Sequence, residues 1–143
     1  MIRFTIFGQP YSKANSRQIV PIRGTGKQRS IKSGKALAYE ADALRQIPFS
    51  ARVRLEGKVR VTLRIYYRNE VPDLDESIVL DVLQDRYHGK GKDRVLVQRG
   101  VIVNDRQVRE KHVIHGIDKR NPRAEIEIEP LHPQQQQQGR AAA

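Results

Sequence analysis

The clearest pattern in the chain is the alternation of Val59, Val61, Leu63, Ile65 and Tyr67 with Arg60, Thr62, Arg64 and Tyr66. Successive side chains of a strand point to opposite faces, so this period of two predicts a strand with one face in the core and the other cationic. The same period recurs at Ile2, Phe4 and Ile6, and at Ala124, Ile126 and Ile128 against Glu125, Glu127 and Glu129. Ser33 is a predicted cap for a helix running to about Ile47, with Leu37, Ala41 and Leu44 on one face and Pro48 just beyond its end. Pro72 stops the central strand, and Ile78, Val79, Val82 and Leu83 then predict a short helix. Val101 to Val103 reads as a short strand entering an Asn104-Asp105 turn, followed by a further strand over about Gln107 to His115. Residues 11–32, polar and punctuated by Pro21, Gly24 and Gly26, read as a long loop, and residues 86–99 as a Gly-punctuated insertion.

Strands and helices mixed in this order predict an α+β fold: a single small domain over residues 1–130, its mixed β-sheet packed against two helices. Residues 131–143, with five consecutive glutamines, predict a disordered Gln-rich tail. The chain has no cysteine, which excludes disulfides, zinc–thiolate sites and thiol chemistry. The beginning of the sequence lacks the long apolar stretch of a signal peptide, and no segment is apolar enough to span a bilayer, so a soluble cytoplasmic protein with no membrane partner is expected.

Charge sharpens this picture. The net charge is +11, and its distribution is uneven. No acidic residue precedes Glu40, while Lys13, Arg17, Arg23, Lys27, Arg29, Lys32 and Lys35 all do. A second basic stretch includes Lys90 and Lys92. One-signed regions of this kind read as phosphate-binding surface, and neither has the apolar face of an interfacial helix. Nucleic acid is the expected partner, with Lys13, Arg17, Arg23, Lys27, Arg29, Lys32, Lys90 and Lys92 as its candidate contacts.

Against that background, Asp73 and Asp75 stand two residues apart at a strand-to-helix junction, and Asp105 stands in a later turn. Carboxylates facing a polyanion repel it unless a cation intervenes, and clustered aspartates are suited to magnesium. Each also has an ordinary structural reading. Asp73 and Glu76 have the spacing of a capping box, and Asn-Asp is common in turns. Composition and spacing leave both readings open. Tyr66 is a candidate to stack on bases, whereas Tyr67 falls on the core face. The four histidines show no metal-binding spacing.

Asp73-Leu74-Asp75, the apolar helix ending in Leu80-Asp81-Val82-Leu83, the run Val103-Asn104-Asp105-Arg106-Gln107-Val108 and the closing Arg123-Ala124-Glu125-Ile126-Glu127-Ile128 resemble the RusA family of Holliday junction resolvases. Gly8-Gln9-Pro10-Tyr11-Ser12-Lys13 is similar to that family's opening strand and basic loop. The resemblance implies a homodimeric, magnesium-dependent endonuclease, with manganese able to substitute, that nicks four-way DNA junctions and is encoded by a bacterium or phage. It assigns Asp73, Asp75 and Asp105 as catalytic metal-binding acids, with Asp81 as a further acid at the helix end. Glu76 stands where the family has Asn, and Asn104 replaces the first of two turn acids. The family's helix lysine has no counterpart, Val79 lying near its position, which leaves Lys13 or Lys111 to supply a cation there. The alternatives are a non-catalytic nucleic-acid-binding module whose aspartates are caps and turn formers, and a degenerate resolvase that, lacking the lysine, binds junctions but cuts poorly.

Overall fold

The computed structural model of the protein describes residues 1–11 and 17–132. Strand β1 (Ile2–Phe7) is followed by a hairpin, β2 (Arg17–Pro21) and β3 (Gln28–Lys32), then helix α1 (Gly34–Gln46). Strand β4 (Val59–Tyr67) leads to helix α2 (Ser77–Leu83), a second hairpin of β5 (Arg86–His88) and β6 (Val95–Gln98), and strands β7 (Val108–Ile117) and β8 (Arg123–Pro130). The main sheet has the order β1-β8-β4-β7. Strands β1 and β4 both run antiparallel to β8, while β4 and β7 are parallel. A parallel pair requires a crossover, and α2 with the second hairpin provides it. The architecture is therefore a small α+β domain, a mixed sheet with two helices, as the periodicity predicted.

The core lies on the helical face of the sheet. Val59, Val61, Leu63, Ile65 and Tyr67 are all buried there, together with Ile6, Ala124, Ile126 and Ile128. Ile78, Val79, Val82 and Leu83 of α2 close over them. Helix α1 is capped by Ser33, whose hydroxyl oxygen accepts from the Ala36 N–H at 3.2 Å.

Several expectations change. The buried stripe of α1 is Ala36, Tyr39, Glu40 and Ala43, with Leu44 half-buried against it, while Leu37 and Ala41 lie outside it. Leu37 is exposed. A glutamate in the stripe hides its period, and Glu40 tolerates burial because Arg86 pairs with it. Residues 11–32 are not simply a loop, since residues 17–32 form a hairpin with Arg17 opposite Lys32. Gly24 and Gly26, both at positive φ, turn it, and the Ile22 N–H donates to the Lys27 carbonyl at 2.7 Å. The Val101–Val103 segment makes only isolated bridges, Ile102 with Leu55 and with Gln84. Leu131 is buried and its N–H donates to the Lys58 carbonyl, so the fold runs past the expected start of the tail. Residues 133–143 lie outside the described residues.

Candidate functional site

Asp73 and Asp75 lie in the irregular segment between β4 and α2. The Asp75 N–H donates to the Tyr67 hydroxyl oxygen at 3.1 Å, and Asp75 Oδ1 accepts from the Ser77 N–H at 2.9 Å. The expected capping box does not form. Helix α2 starts only at Ser77, its cap position is Glu76, and no side chain bonds the cap. Asp73 is exposed and Asp75 half-buried. Burial raises the pKa of the Tyr67 hydroxyl, and the carboxylates of Asp75, Glu76 and Asp73 raise it further. All three acids thus lie close enough to act on one phenol.

Strand β7 brings two more groups to this place. Lys111 and His115 pair in register with Val61 and Ile65, so both point to the helical side of the sheet. Lys111 Nζ lies 2.6 Å from Glu76 Oε1, and the bond holds the Glu76 carboxyl below its ordinary pKa. The His115 ring stacks on Tyr67 with centroids 5.4 Å apart. Sequence reasoning offered Lys111 as a substitute cation but gave His115 no role. The only available signal was that positions 111, 113 and 115 share a strand face. Which element that face meets depends on β7 lying parallel beside β4.

Asp105 is elsewhere. It begins a short 3-10 turn beyond the C-terminal end of α2, and its N–H donates to Gln84 Oε1 at 3.2 Å. The seven residues of α2 rise about 10 Å. Asp105 is tied to the residue after the C-terminal end of this helix, whereas Asp73 and Asp75 precede its N-terminal end. Asp81 lies in the last turn of α2, half-buried and off its buried stripe. Among the described residues, no three His, Cys, Asp or Glu side chains converge so as to hold a metal ion by themselves. Magnesium is ordinarily held by one or two carboxylates with phosphate oxygens and waters. Asp73 and Asp75, two residues apart in one segment, are the residues that could supply such carboxylates together, with Asp105 coming from a separate turn. A capping box does form in the Asp105 turn, made by Asn104 and Gln107. Gln107 also donates to the carbonyls of Leu55 and Gly57, which ties this turn to the start of β4.

Several of the cationic residues are paired across the sheet. On the open face of the sheet, Arg60 pairs with Glu110 and Glu129, and Arg64 and Arg3 pair with Glu127. Arg123 pairs with Asp118 and Glu125. The face expected to be cationic is thus a neutral lattice of ion pairs, because β8 lays its glutamates beside the arginines of β4. Tyr66 is committed as well. The Arg123 guanidinium covers its ring at 4.1 Å, and a Cβ on Gly116 would meet that ring at 2.6 Å. It is not available to stack on a base.

Further positive charge lies on the hairpins. Arg17, Arg23, Lys27, Arg29 and Lys32 fall within the first, with no acid between them. Lys90 and Lys92 lie exposed at the turn of the second, where Arg94 covers Tyr87 at 4.1 Å. Lys13 lies outside the described residues. Compared with known proteins, the sequence matches no family model and no curated protein.

Proposed function

We propose that the protein is a magnesium-dependent endodeoxyribonuclease that cuts branched DNA such as four-way junctions, in recombination, repair or phage DNA processing. The observation that carries this reading is the meeting of Lys111 with the acidic segment, next to the Asp73–Asp75 pair. A cation beside paired carboxylates lets phosphate approach an acidic centre. Asp73 and Asp75 would hold magnesium, with manganese able to substitute as another ion suited to oxygen ligands. When bound, the ion supplies an activated water and polarises the phosphoryl oxygen. Tyr67 and Ser77 hold the Asp75 backbone and carboxylate, and Lys111 offsets the charge of Glu76. The two basic hairpins would follow the DNA backbone. Symmetric cutting of a four-way junction needs two such centres, so a C2 homodimer belongs to the proposal. So does residence in the cytoplasm of a bacterium, whether the gene is the cell's own or a phage's.

A second reading is favoured by the position of Asp105 at the far end of α2. On that reading the protein is a nucleic-acid-binding module whose acids are structural. Labelled four-way junction, duplex and single strand, each incubated with magnesium and with chelator, separate the two. Paired nicks in the junction, only with the metal, are expected. Tight binding without cleavage in magnesium or manganese would establish the binding module instead.

A further inference from the structure

The main sheet ends differently at its two edges. At β1, Gln46 of α1 takes up both main-chain groups of Phe7: its Oε1 accepts from the N–H at 2.7 Å, and its Nε2 donates to the carbonyl at 2.9 Å. At β7 no further strand follows among the described residues. The Asp118 N–H donates to the Tyr67 carbonyl at 2.8 Å. Main-chain groups of successive residues point to opposite sides of a strand. Residues 112, 114 and 116 therefore face β4, while residues 111, 113, 115 and 117 present their N–H and C=O groups outward. From Glu110 to Ile117 the register with β4 runs without a break, so the outward row is regular.

Edge strands are ordinarily guarded by free charges, by Pro or by a bulge. Here the bulge falls at Arg109, ahead of the regular stretch. The charges of Glu110 and Lys111 are engaged by Arg60 and Glu76. Residues 112–117, His-Val-Ile-His-Gly-Ile, contain no Pro and no Asp, Glu, Lys or Arg. Ile114 and Ile117 are exposed. An apolar segment of this length with open main-chain groups is suited to pair with another strand.

We propose that β7 is the surface on which a second copy of this chain docks, its own β7 running antiparallel to the first across a two-fold axis at Val113. A two-fold places the edge against itself, and residues of the same face stand opposite one another. About Val113, His112 meets Ile114, Lys111 meets His115 and Glu110 meets Gly116, so no acid faces an acid and no Lys or Arg faces another. An axis at Lys111 opposes two lysines, one at His112 two histidines, and one at Ile114 sets Glu110 against Asp118. The pairing joins two four-stranded sheets into one of eight strands, with both helical faces on one side. It supplies an interface for the C2 dimer proposed above. That the dimer serves two cuts rests on the nuclease reading; the strand pairing does not.

The test uses the full chain. Light scattering at micromolar concentration is expected to report twice the 16.4 kDa chain mass. Ile114→Lys puts a free charge on the edge at an exposed position. It should keep the circular dichroism spectrum and weaken dimerisation at least about tenfold, since each copy loses an apolar interface side chain. The chain has no cysteine of its own. Non-hydrogen-bonded antiparallel neighbours have Cα atoms about 4.5 Å apart, within disulfide range. A mixture of His112→Cys and Ile114→Cys proteins should therefore form a covalent dimer on mild oxidation, whereas neither variant alone should. A monomer, or a dimer that Ile114→Lys leaves intact, would overturn the interface, and cleavage assays on the same protein would still decide the nuclease reading. Failure of the mixed crosslink in a dimer that depends on Ile114 would overturn the Val113 axis. A monomeric full chain that dimerises once residues 133–143 are removed would give the edge to that segment instead. A crosslinked dimer that never cuts a junction in magnesium would keep the interface and end the nuclease reading.

Discussion

Tyr67 holds Asp75 by its backbone: the Asp75 N–H donates to the phenol oxygen at 3.1 Å, at the end of the central strand. Tyr67 is itself fully packed in the core. The acidic segment is thus positioned from below by the sheet, not by a helix cap. Tyr67→Phe should cost about 1 kcal/mol in stability, the net worth of one hydrogen bond. Cleavage should fall further than that loss of stability explains, because the Asp75 backbone loses its anchor. Urea unfolding and junction cleavage measured on the same preparation check this.

The acids themselves should differ in weight. Asp73→Asn and Asp75→Asn are expected to lower cleavage at least about 100-fold, since a metal contributes several kcal/mol to the transition state. Junction binding in chelator should persist. Asp105→Asn, at the other end of α2, should lose less than about tenfold, one step of roughly 1.4 kcal/mol. A loss for Asp105→Asn as large as for Asp75→Asn would show that the turn closes onto the same ion when DNA binds.

The two hairpins should govern salt dependence. Each neutralised phosphate contributes about −0.9 to the slope of log K against log salt on duplex DNA. Replacing Lys27, Arg29 and Lys32 together with Ala should flatten that slope by roughly two to three units. Arg60→Ala with Arg64→Ala should leave it nearly unchanged, because those guanidinium groups already face Glu110, Glu127 and Glu129. Equal flattening in both variants would place DNA on the open sheet face.

Acid should loosen the Glu76–Lys111 pair. Lys111 depresses the Glu76 pKa below its ordinary 4.5, so the folded state holds this proton less tightly than the unfolded chain. The resulting stability is fully present above about pH 4.5 and is lost as pH falls through the depressed value. Melting temperatures of wild type and Lys111→Met should therefore differ near neutrality and converge toward pH 3, about a unit or more below that ordinary value. Curves that stay parallel over the whole range would show that the pair contributes nothing, as many exposed ion pairs do.

Two glycines separate backbone from side-chain crowding. A Cβ at Gly100 would lie 2.4 Å from both the Gln84 carbonyl carbon and the Ile102 oxygen, where the chain re-enters beneath α2. Gly100→Ala should cost about 3 kcal/mol or more, because main chain must move. At Gly116 the obstacle is the Tyr66 ring, which can swing away at the cost of its Arg123 contact. Gly116→Ala should cost about 1 kcal/mol, at the low end of overpacking. Thermal or urea unfolding ranks the pair, and equal losses would refute the distinction.

Alternation alone made the central strand, the first and last strands and the face of each that turns inward legible, because a strand's period is set by local geometry. The Ser33 cap and the apolar run of α2 were legible for the same reason. The hairpin over residues 17–32 was not, since its short paired runs are polar and cationic and only backbone pairing reveals them. Other features depended on which strands are neighbours. Placing β8 beside β4 turned an expected cationic face into paired charges, and placing β7 parallel to β4 carried Lys111 to Glu76 and His115 to Tyr67. The same topology tied Asp105 to the C-terminal end of α2, while Asp75 precedes the N-terminal end. Residue types and spacing determined which groups the chain contains, but contacts between distant segments, settled only when the whole core is buried, decided which of those groups meet.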